Sequence, residues 1–268
     1  MAHFPPEENS LNHSTSALYY CGLVCLHSKW GQHLDKRSTQ PRNCILRSLR
    51  TEEYKRLLAF SKPVTLSTGD VLFEAGDRIT DFYFLHSGMA SLLSTTEEGA
   101  TIEVGMVGYE GFVGADLVLK TNRMPYRSMM QIPGEATKIK ARPLLDEFDK
   151  NLDLRNLVLQ YLHLVLTQVS QSAVCNRFHT LEERLCRWLL ISREIIDSDE
   201  IPLTQELLSQ MLGVARTGVT MTAGILQQSG LIRYRRGRIT ILDREALADA
   251  SCECYRIVKQ EFDRFIKC

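Results

Sequence analysis

The spacing of apolar residues changes character along the chain. Residues 1 to 42 hold no sustained period and carry Pro5, Pro6 and many Asn, Ser, His and Gln. A poorly ordered N-terminal extension is expected there. Asn43 to Phe60 reads as helix: Thr51-Glu52-Glu53-Tyr54 opens its second part in capping style, and Leu57 and Leu58 supply an apolar face. From about Lys62 to Ala141, short β-rich runs alternate with glycines. The runs are Val71-Leu72-Phe73, Phe82 to Leu85, Ala90 to Leu93, Thr101 to Val104, Ser128 to Ile132 and Ala136 to Ile139, punctuated by Gly69, Gly76, Gly88, Gly99, Gly108, Gly111, Gly114 and Gly134. Regular short strands with glycine turns predict an antiparallel jelly roll, whose interior is able to hold a small molecule.

Helical periodicity then returns. Arg142 to Glu147 starts one segment, and Leu152 to about Arg177 predicts a long helix. Leu154, Val158, Tyr161, Val165, Gln168, Ser172 and Cys175 step by four and three along it, a heptad-like seam expected to pair two copies of the chain. Thr180-Leu181-Glu182-Glu183 is a capping box and opens a helix that runs through Trp188 to about Ile196. The tail from Arg244 to Cys268 again reads as helical.

Leu203 to Ile232 has the most informative pattern. Leu207, Leu208, Met211 and Leu212 give a first short helix its apolar face, and Gly213 interrupts where a helix C-terminus favours φ > 0. A second helix starts near Ala215 or Arg216. Val219, Ala223, Ile225 and Leu226 form its expected inward face, and Arg216, Thr217, Thr220 and Met221 its outward one. Helix, glycine turn and second helix with a polar N-terminal face is the helix-turn-helix arrangement. Arg233 to Ile241 follows as strand, turn and strand with Gly237 in the turn, and four arginines crowd this hairpin into a basic wing. From Leu203 to Glu245 the cations are Arg216, Arg233, Arg235, Arg236, Arg238 and Arg244, against Glu206, Asp243 and Glu245. Guanidinium groups suit forked contacts to phosphates and guanine edges. The expected DNA-contacting set is Thr204, Gln205, Arg216, Thr217, Thr220, Met221, Arg235, Arg236 and Arg238.

Composition bounds the rest. The 268 residues leave room for two domains, and the formal net charge of zero means that any nucleic-acid surface is local. No run of about 18 apolar residues predicts a membrane span. The apolar patch Ala17 to Leu26 is preceded by Glu7 and Glu8 rather than by Lys or Arg, unlike a secretory leader, so a cytoplasmic protein is expected. The eight cysteines contain no C-x-x-C pair. Cys21, Cys25 and Cys44 are read as free thiols rather than as ligands of a metal or cluster. Cys252 and Cys254, two apart on a helix, are expected on different faces in a structural or inert role, and no metal site is expected. No nucleophile–base constellation, P-loop or H-E-x-x-H motif is present, so catalysis is not expected.

A glycine-punctuated roll, a long helix and a winged helix-turn-helix in this order resemble the CRP/FNR family of bacterial transcription regulators, from roughly Asn43 to the C-terminus. Leu72-Phe73-Glu74-Ala75-Gly76-Asp77 and Tyr83 to Gly88 look like the family's early roll strands, and Thr180 to Leu190 is similar to its E-R-L…W-L-L helix. More narrowly, Asn176-Arg177-Phe178-His179 and Cys252-Glu253-Cys254-Tyr255 resemble a subgroup of that family. Gly114-Ala115 and Arg127-Ser128 match the family's ligand-binding positions. Cyclic-AMP-binding members carry Glu where Ala115 stands, and a carboxylate accepts ribose hydroxyls whereas alanine does not. Met129 also replaces the expected alanine. Cyclic AMP in the family's usual mode is therefore not expected, and Arg127 is left as a site for an anionic effector. The cysteines do not match the iron–sulfur spacing of the FNR branch, and no His or Cys is marked as a haem ligand. In the second helix Arg216 is retained, but Thr217 and Met221 stand where known members have Glu and Arg.

The resulting expectation is an α+β protein in four parts: the extension 1–42, an effector-sensing roll 43–150 of cyclic-nucleotide-binding type, a dimerisation helix 151–178, and a winged helix-turn-helix with a C-terminal helix at 179–268. The resemblance implies a homodimer on a pseudo-palindromic double-stranded operator, with RNA polymerase as a further partner. The competing class is a ligand-binding signalling module whose C-terminal part docks protein instead of DNA.

Overall fold

The computed structural model describes residues 41–267, which fall within one compact unit; the expected extension lies almost wholly outside the described residues. The described residues open with α1 (Cys44–Ser48) and α2 (Thr51–Leu58). The expected single helix over Asn43 to Phe60 is thus two, broken at Leu49 and Arg50, both extended in backbone. Arg50 is the N-cap of α2, not Thr51, and the Glu53 carboxylate accepts from its backbone N–H at 3.0 Å.

The roll follows as β1 (Ser61–Leu66), β2 (Val71–Phe73), β3 (Asp81–Leu85), β4 (Met89–Thr95), β5 (Thr101–Val107), β6 (Phe112–Val113), a 3₁₀ turn at Ala115–Leu119, β7 (Arg127–Ile132) and β8 (Gly134–Lys140). Two four-stranded antiparallel sheets result, in the orders β1-β8-β3-β6 and β2-β7-β4-β5. Phe82, Phe84, Leu85, Met89, Met130 and Ile139 are fully buried between them. Gly88 has φ +75°, and a Cβ there would strike the Ile132 and Pro133 carbonyls, so the β3–β4 turn requires glycine.

Then come α3 (Ala141–Lys150), the 27-residue α4 (Leu152–Phe178), α5 (Leu181–Ile196), β9 (Glu200–Pro202), α6 (Gln205–Leu212), α7 (Arg216–Gln228), β10 (Ile232–Arg235), β11 (Arg238–Ile241), α8 (Arg244–Asp249) and α9 (Glu253–Ile266). Thr180 caps α5 as expected: its hydroxyl accepts from Glu183 N–H, and the Glu183 carboxylate accepts from Thr180 N–H at 2.7 Å. Among the described residues no helix is long and apolar enough to cross a membrane.

The expected seam on α4 faces inward. Leu154, Val158, Tyr161, Gln168, Ser172 and Cys175 are buried against the rest of the same chain, and Val165 is half-buried. Tyr161 packs on Phe112 at 5.1 Å and donates its hydroxyl to the Phe112 carbonyl at 3.0 Å. Gln168 breaks the apolar run because β5 is a sheet edge. Its amide donates to the Met106 carbonyl and accepts from the Met106 N–H at 3.1 Å, satisfying backbone that no strand pairs. A different stripe is left outward: Leu159, Leu162, Leu166, Val169 and Ala173 also step by three and four, with Leu159 49% and Leu166 64% exposed. The expected pairing seam therefore lies on the wrong face of α4, a helix that is apolar on both.

The helices behind the roll lock onto β5 and its neighbours. Trp188 of α5 is fully buried and donates its indole N–H to Glu103 of β5 at 2.7 Å, while Ser91 of β4 donates to the other carboxylate oxygen. Arg184 donates to the Leu212 carbonyl at the end of α6, and Ile102 of β5 packs against Gly213. Antiparallel to α4, α9 returns from the far end of the molecule to the roll, with Phe265 on Tyr161 and Phe262 on Tyr109.

Glu103 is enclosed, and desolvation raises its carboxyl to about 7, against the lowering by its Ser91 and Trp188 hydrogen bonds. Because the folded state then holds a proton that the unfolded chain releases near its ordinary carboxylate value, stability falls as pH rises through that interval and levels off above about 7. The span is worth on the order of 3 kcal/mol. Glu103→Gln keeps an acceptor for Trp188 and a donor for Ser91 without the charge. It is expected to unfold at higher denaturant than wild type at pH 8 and at nearly the same denaturant at pH 4.5, as chemical unfolding at the two pH values would read. Equal midpoints at pH 8 would contradict the buried charge.

Candidate nucleic-acid interface

The helix-turn-helix is built from the residues the apolar pattern singles out. Thr204 caps α6 by accepting from Leu207 N–H at 3.2 Å. Gly213 ends the helix at φ 63°, satisfying the carbonyls of the last turn, and α7 begins three residues on. Val219, Thr222, Ala223 and Leu226 bury one face of α7 against the domain. Ile225 does not join them. It is 43% exposed and lies one turn beyond Met221, itself 68% exposed, so these two extend the outward face with apolar surface.

Arg216, Thr217 and Thr220 are exposed on that same face. Thr220 donates its hydroxyl either to the Gln205 side-chain carbonyl or to the Arg216 backbone carbonyl, each at 3.0 Å. Gln205, at the start of α6, is thereby set beside the first turns of α7, and its amide N–H groups point to no partner among the described residues. Ala215 precedes α7 without a side-chain cap, which leaves first-turn N–H groups open.

The wing is a tight hairpin. Arg235 pairs with Arg238, and the two residues between them, Arg236 and Gly237, both have positive φ, 50° and 73°. Two left-handed central residues define the turn type whose twist matches the strands. The Gly237 carbonyl accepts from Leu203 N–H at 2.8 Å, and the Tyr234 hydroxyl donates to the Leu203 carbonyl, so the wing tip is fastened to the entry of α6. The Gln227 side chain accepts from Tyr234 N–H at 2.8 Å and joins the end of α7 to β10. Gln227 and Tyr234 give no signal in sequence because their polar atoms serve partners set by the fold.

Charge on this face is less evenly available than composition implies. Arg244 pairs with Glu194 at 2.6 Å, and Arg238 with Glu200 on the neighbouring strand at 2.5 Å. Arg216 lies 4.0 Å from Glu206, both exposed, a weak pairing. Arg233, Arg235 and Arg236 are exposed and form no ion pair with any described residue. The uncompensated positive charge therefore sits on the wing.

In the roll, Gly114 adopts φ 104° as N-cap of the 3₁₀ turn, with Ala115 buried behind it. Asp116, one place later, accepts from the Tyr126 hydroxyl at 2.8 Å, which ties this turn to the start of β7; burial raises its carboxyl. Arg127 lies 3.4 Å from the Glu74 carboxylate, both partly exposed, and Ser128 is buried with no hydrogen-bond partner for its hydroxyl. No carboxylate stands at Ala115.

Comparison with known proteins accords with this geometry. Residues 63–151 match the cyclic nucleotide-binding domain and residues 183–250 the Crp-like helix-turn-helix domain. The chain belongs to the CRP/FNR family of transcription regulators. It is 24% identical over 190 residues to the global nitrogen regulator of Synechococcus elongatus, covering 67% of this chain and 85% of that protein. FixK2 from Bradyrhizobium japonicum superposes with a TM-score of 0.63 at 12% identity, over 72% of this chain and 98% of that one. A CRP/FNR family regulator from Thermus thermophilus does so with a TM-score of 0.58 at 22% identity, over 71% and 98%.

As a CRP/FNR regulator the chain binds DNA and carries a small-molecule-type sensor domain upstream of its reading head. The antiparallel roll, long helix and helix-turn-helix agree with the fold expected from sequence. The two departures in the reading head, Thr217 and Met221, stand exposed beside Arg216.

Proposed function

We propose that this regulator acts as a homodimer. The stripe Leu159, Leu162, Leu166, Val169 and Ala173 of one α4 would pack against the same stripe of a second copy. The observation that carries this is the exposure of a three-and-four-spaced apolar seam on a helix whose other face is already filled. Two α7 helices then enter successive major grooves, roughly 34 Å apart, on a pseudo-palindromic operator. Arg216 addresses a guanine edge or a phosphate. Thr217 and Thr220 offer hydroxyls, and Met221 with Ile225 offers apolar contact suited to thymine methyls. Thr204, Gln205 and the open first-turn amides of α7 hold phosphates together with the wing arginines, of which Arg235 and Arg236 contribute most and Arg238 less, being paired.

The last three of the four parts expected from sequence serve these roles, with the boundary between sensor and reader falling at His179. The roll at 43–150 takes a small-molecule effector. Gly114, Arg127 and Ser128 stand at its site, and Ala115 argues against cyclic AMP held in the family's usual way. Effector binding shifts the population of reading-head orientations through β5 and α4. The protein works in the cytoplasm, with RNA polymerase as the partner of the DNA-bound dimer.

Arg235→Ala with Arg236→Ala is expected to weaken binding to all DNA sequences alike. It should also lower the slope of log affinity against log salt by roughly 2 per protomer, about 0.9 for each phosphate no longer neutralised. Fluorescence anisotropy with fragments of the source genome at several salt concentrations measures both. Unchanged affinity and slope would favour the docking of protein over DNA by this domain.

A further inference from the structure

Outside the sensor and the reading head, packing brings together four side chains that are far apart in sequence. Cys175 lies in the last turn of α4 and His179 is the C-cap residue of that helix, so both fall on one face, four residues apart. Cys252 is the N-cap of α9 and Cys254 lies in its first turn. The expectation that these two cysteines diverge fails at this point, because Cys252 is not in the helix and its backbone is extended, turning both sulfurs inward. One ligand atom from each of the four residues lies within 4.8 Å of all the others. Cys175 Sγ is 3.5 Å from Cys252 Sγ, and Cys254 Sγ is 3.7 Å from His179 Nδ1. All three cysteines are buried and His179 is half-buried.

We propose that Cys175, His179, Cys252 and Cys254 form a Cys₃His site for a single tetrahedral soft divalent cation, zinc being the natural occupant. A zinc with bonds of about 2.3 Å to sulfur and 2.0–2.1 Å to nitrogen holds its ligand atoms roughly 3.5–3.8 Å apart, the spacing found between the pairs above. A cubane cluster would hold its thiolates on separate irons, further apart than these sulfurs stand. The surroundings match the site in two further ways. His179 presents Nδ1 to the sulfurs while Nε2 lies 3.3 Å from the Glu253 carboxylate, the arrangement in which an outer carboxylate fixes the ring of a metal-bound histidine. Arg187 of α5 is only 6% exposed, its Nε has no hydrogen-bond partner, and its guanidinium lies near enough to Cys175 and Cys254 to act on both electrostatically. Three thiolates on a dication leave one negative charge, and a buried guanidinium beside it balances that charge. Binding takes up the cation and releases the thiol protons to solvent, with no change of oxidation state.

The site joins the junction of α4 and α5 to the start of α9. The full chain, purified with reductant and with Cys21 and Cys25 replaced by Ala, is expected to carry one zinc per chain by elemental analysis. After removal of zinc, one equivalent of Co²⁺ should give the intense thiolate charge-transfer and tetrahedral ligand-field absorption of a sulfur-rich site, and Zn²⁺ should displace it. Cys252→Ser and Cys254→Ser should abolish that spectrum, and Cys186→Ala, a buried thiol elsewhere on α5, should preserve it. Glu253→Gln leaves every ligand in place and alters an exposed side chain whose contact is His179 Nε2, so it should fold and keep the spectrum with about 10- to 100-fold weaker affinity. A weak octahedral cobalt spectrum, a spectrum indifferent to Cys252→Ser, an affinity indifferent to Glu253→Gln, or a Cys175–Cys252 disulfide in freshly reduced protein would each overturn the assignment. None of these readouts involves DNA, so the outcome is separate from that of the operator experiments.

Discussion

Leu166→Lys is expected to leave a folded monomer and to lower affinity for a palindromic operator by on the order of 10²- to 10⁴-fold, the factor by which a linked second contact raises avidity. Leu166 is 64% exposed in the protomer, so the substitution removes little from the chain's own core. Its stripe neighbours Leu162 and Val169 are half-buried and Leu159 is exposed, so a lysine at the centre of the stripe would place two like charges against each other across a two-fold axis. Replacing Leu164 instead, which is fully buried within the protomer, should reduce stability, not association. Sedimentation at micromolar concentration distinguishes the two. A Leu166→Lys protein that remained dimeric, with unchanged operator binding, would require the two-fold contact to lie elsewhere.

Trp188→Ala is the substitution expected to cost most in stability, about 3–5 kcal/mol for emptying a fully enclosed indole site. The effect has two parts. The ring fills the space between α5 and the β4–β5 pair, and its N–H is one of two donors to the buried Glu103 carboxyl. Trp188→Phe keeps most of the volume and removes the donor, so it should lose about 1–3 kcal/mol, less near pH 5, where Glu103 holds its proton, than near pH 8. Because this contact joins the roll to the helices that carry the reading head, Trp188→Ala should also turn one urea transition into two. A single transition displaced by less than about 1 kcal/mol would mean that the joint is held by other contacts, such as those of Ile102 with Gly213.

Much of the architecture is readable from periodicity alone. The roll strands around Phe73, Leu85 and Ile139, the length of α4, the Thr180 cap and the Gly213 turn all rest on local chemistry, and local chemistry is what a sequence displays. Three strands give no such signal, for definable reasons. β1 contains Pro63, β6 has two residues and β9 ends in Pro202; none is long enough or regular enough to show alternation. The inward face of α4 is ambiguous in sequence because the helix is apolar on two sides, and only the position of β5 decides which side is interior. Ile225 reads as inward on hydrophobicity, although four residues after Met221 it must share that residue's outward face. Within the reading head, the exposure of Arg216, Thr217, Thr220 and Met221 agrees with the pattern, whereas the pairing of Arg238 with Glu200 depends on a strand that the pattern does not predict. The cysteine cluster is illegible in sequence because its two halves meet only through the antiparallel packing of α4 and α9.

That packing has a mechanical meaning. A body carried on a single rod swivels freely about it, but one carried on two parallel rods can only slide along them or tilt in their common plane. The reading head is attached to the roll by α4 on the way out and by α9 on the way back, with Phe262 and Phe265 seated against Tyr109 and Tyr161. Rotation of the head about α4 would have to draw Phe262 and Phe265 out of these seats and Trp188 away from Glu103, so the second rod and the indole bond brace one joint from two sides.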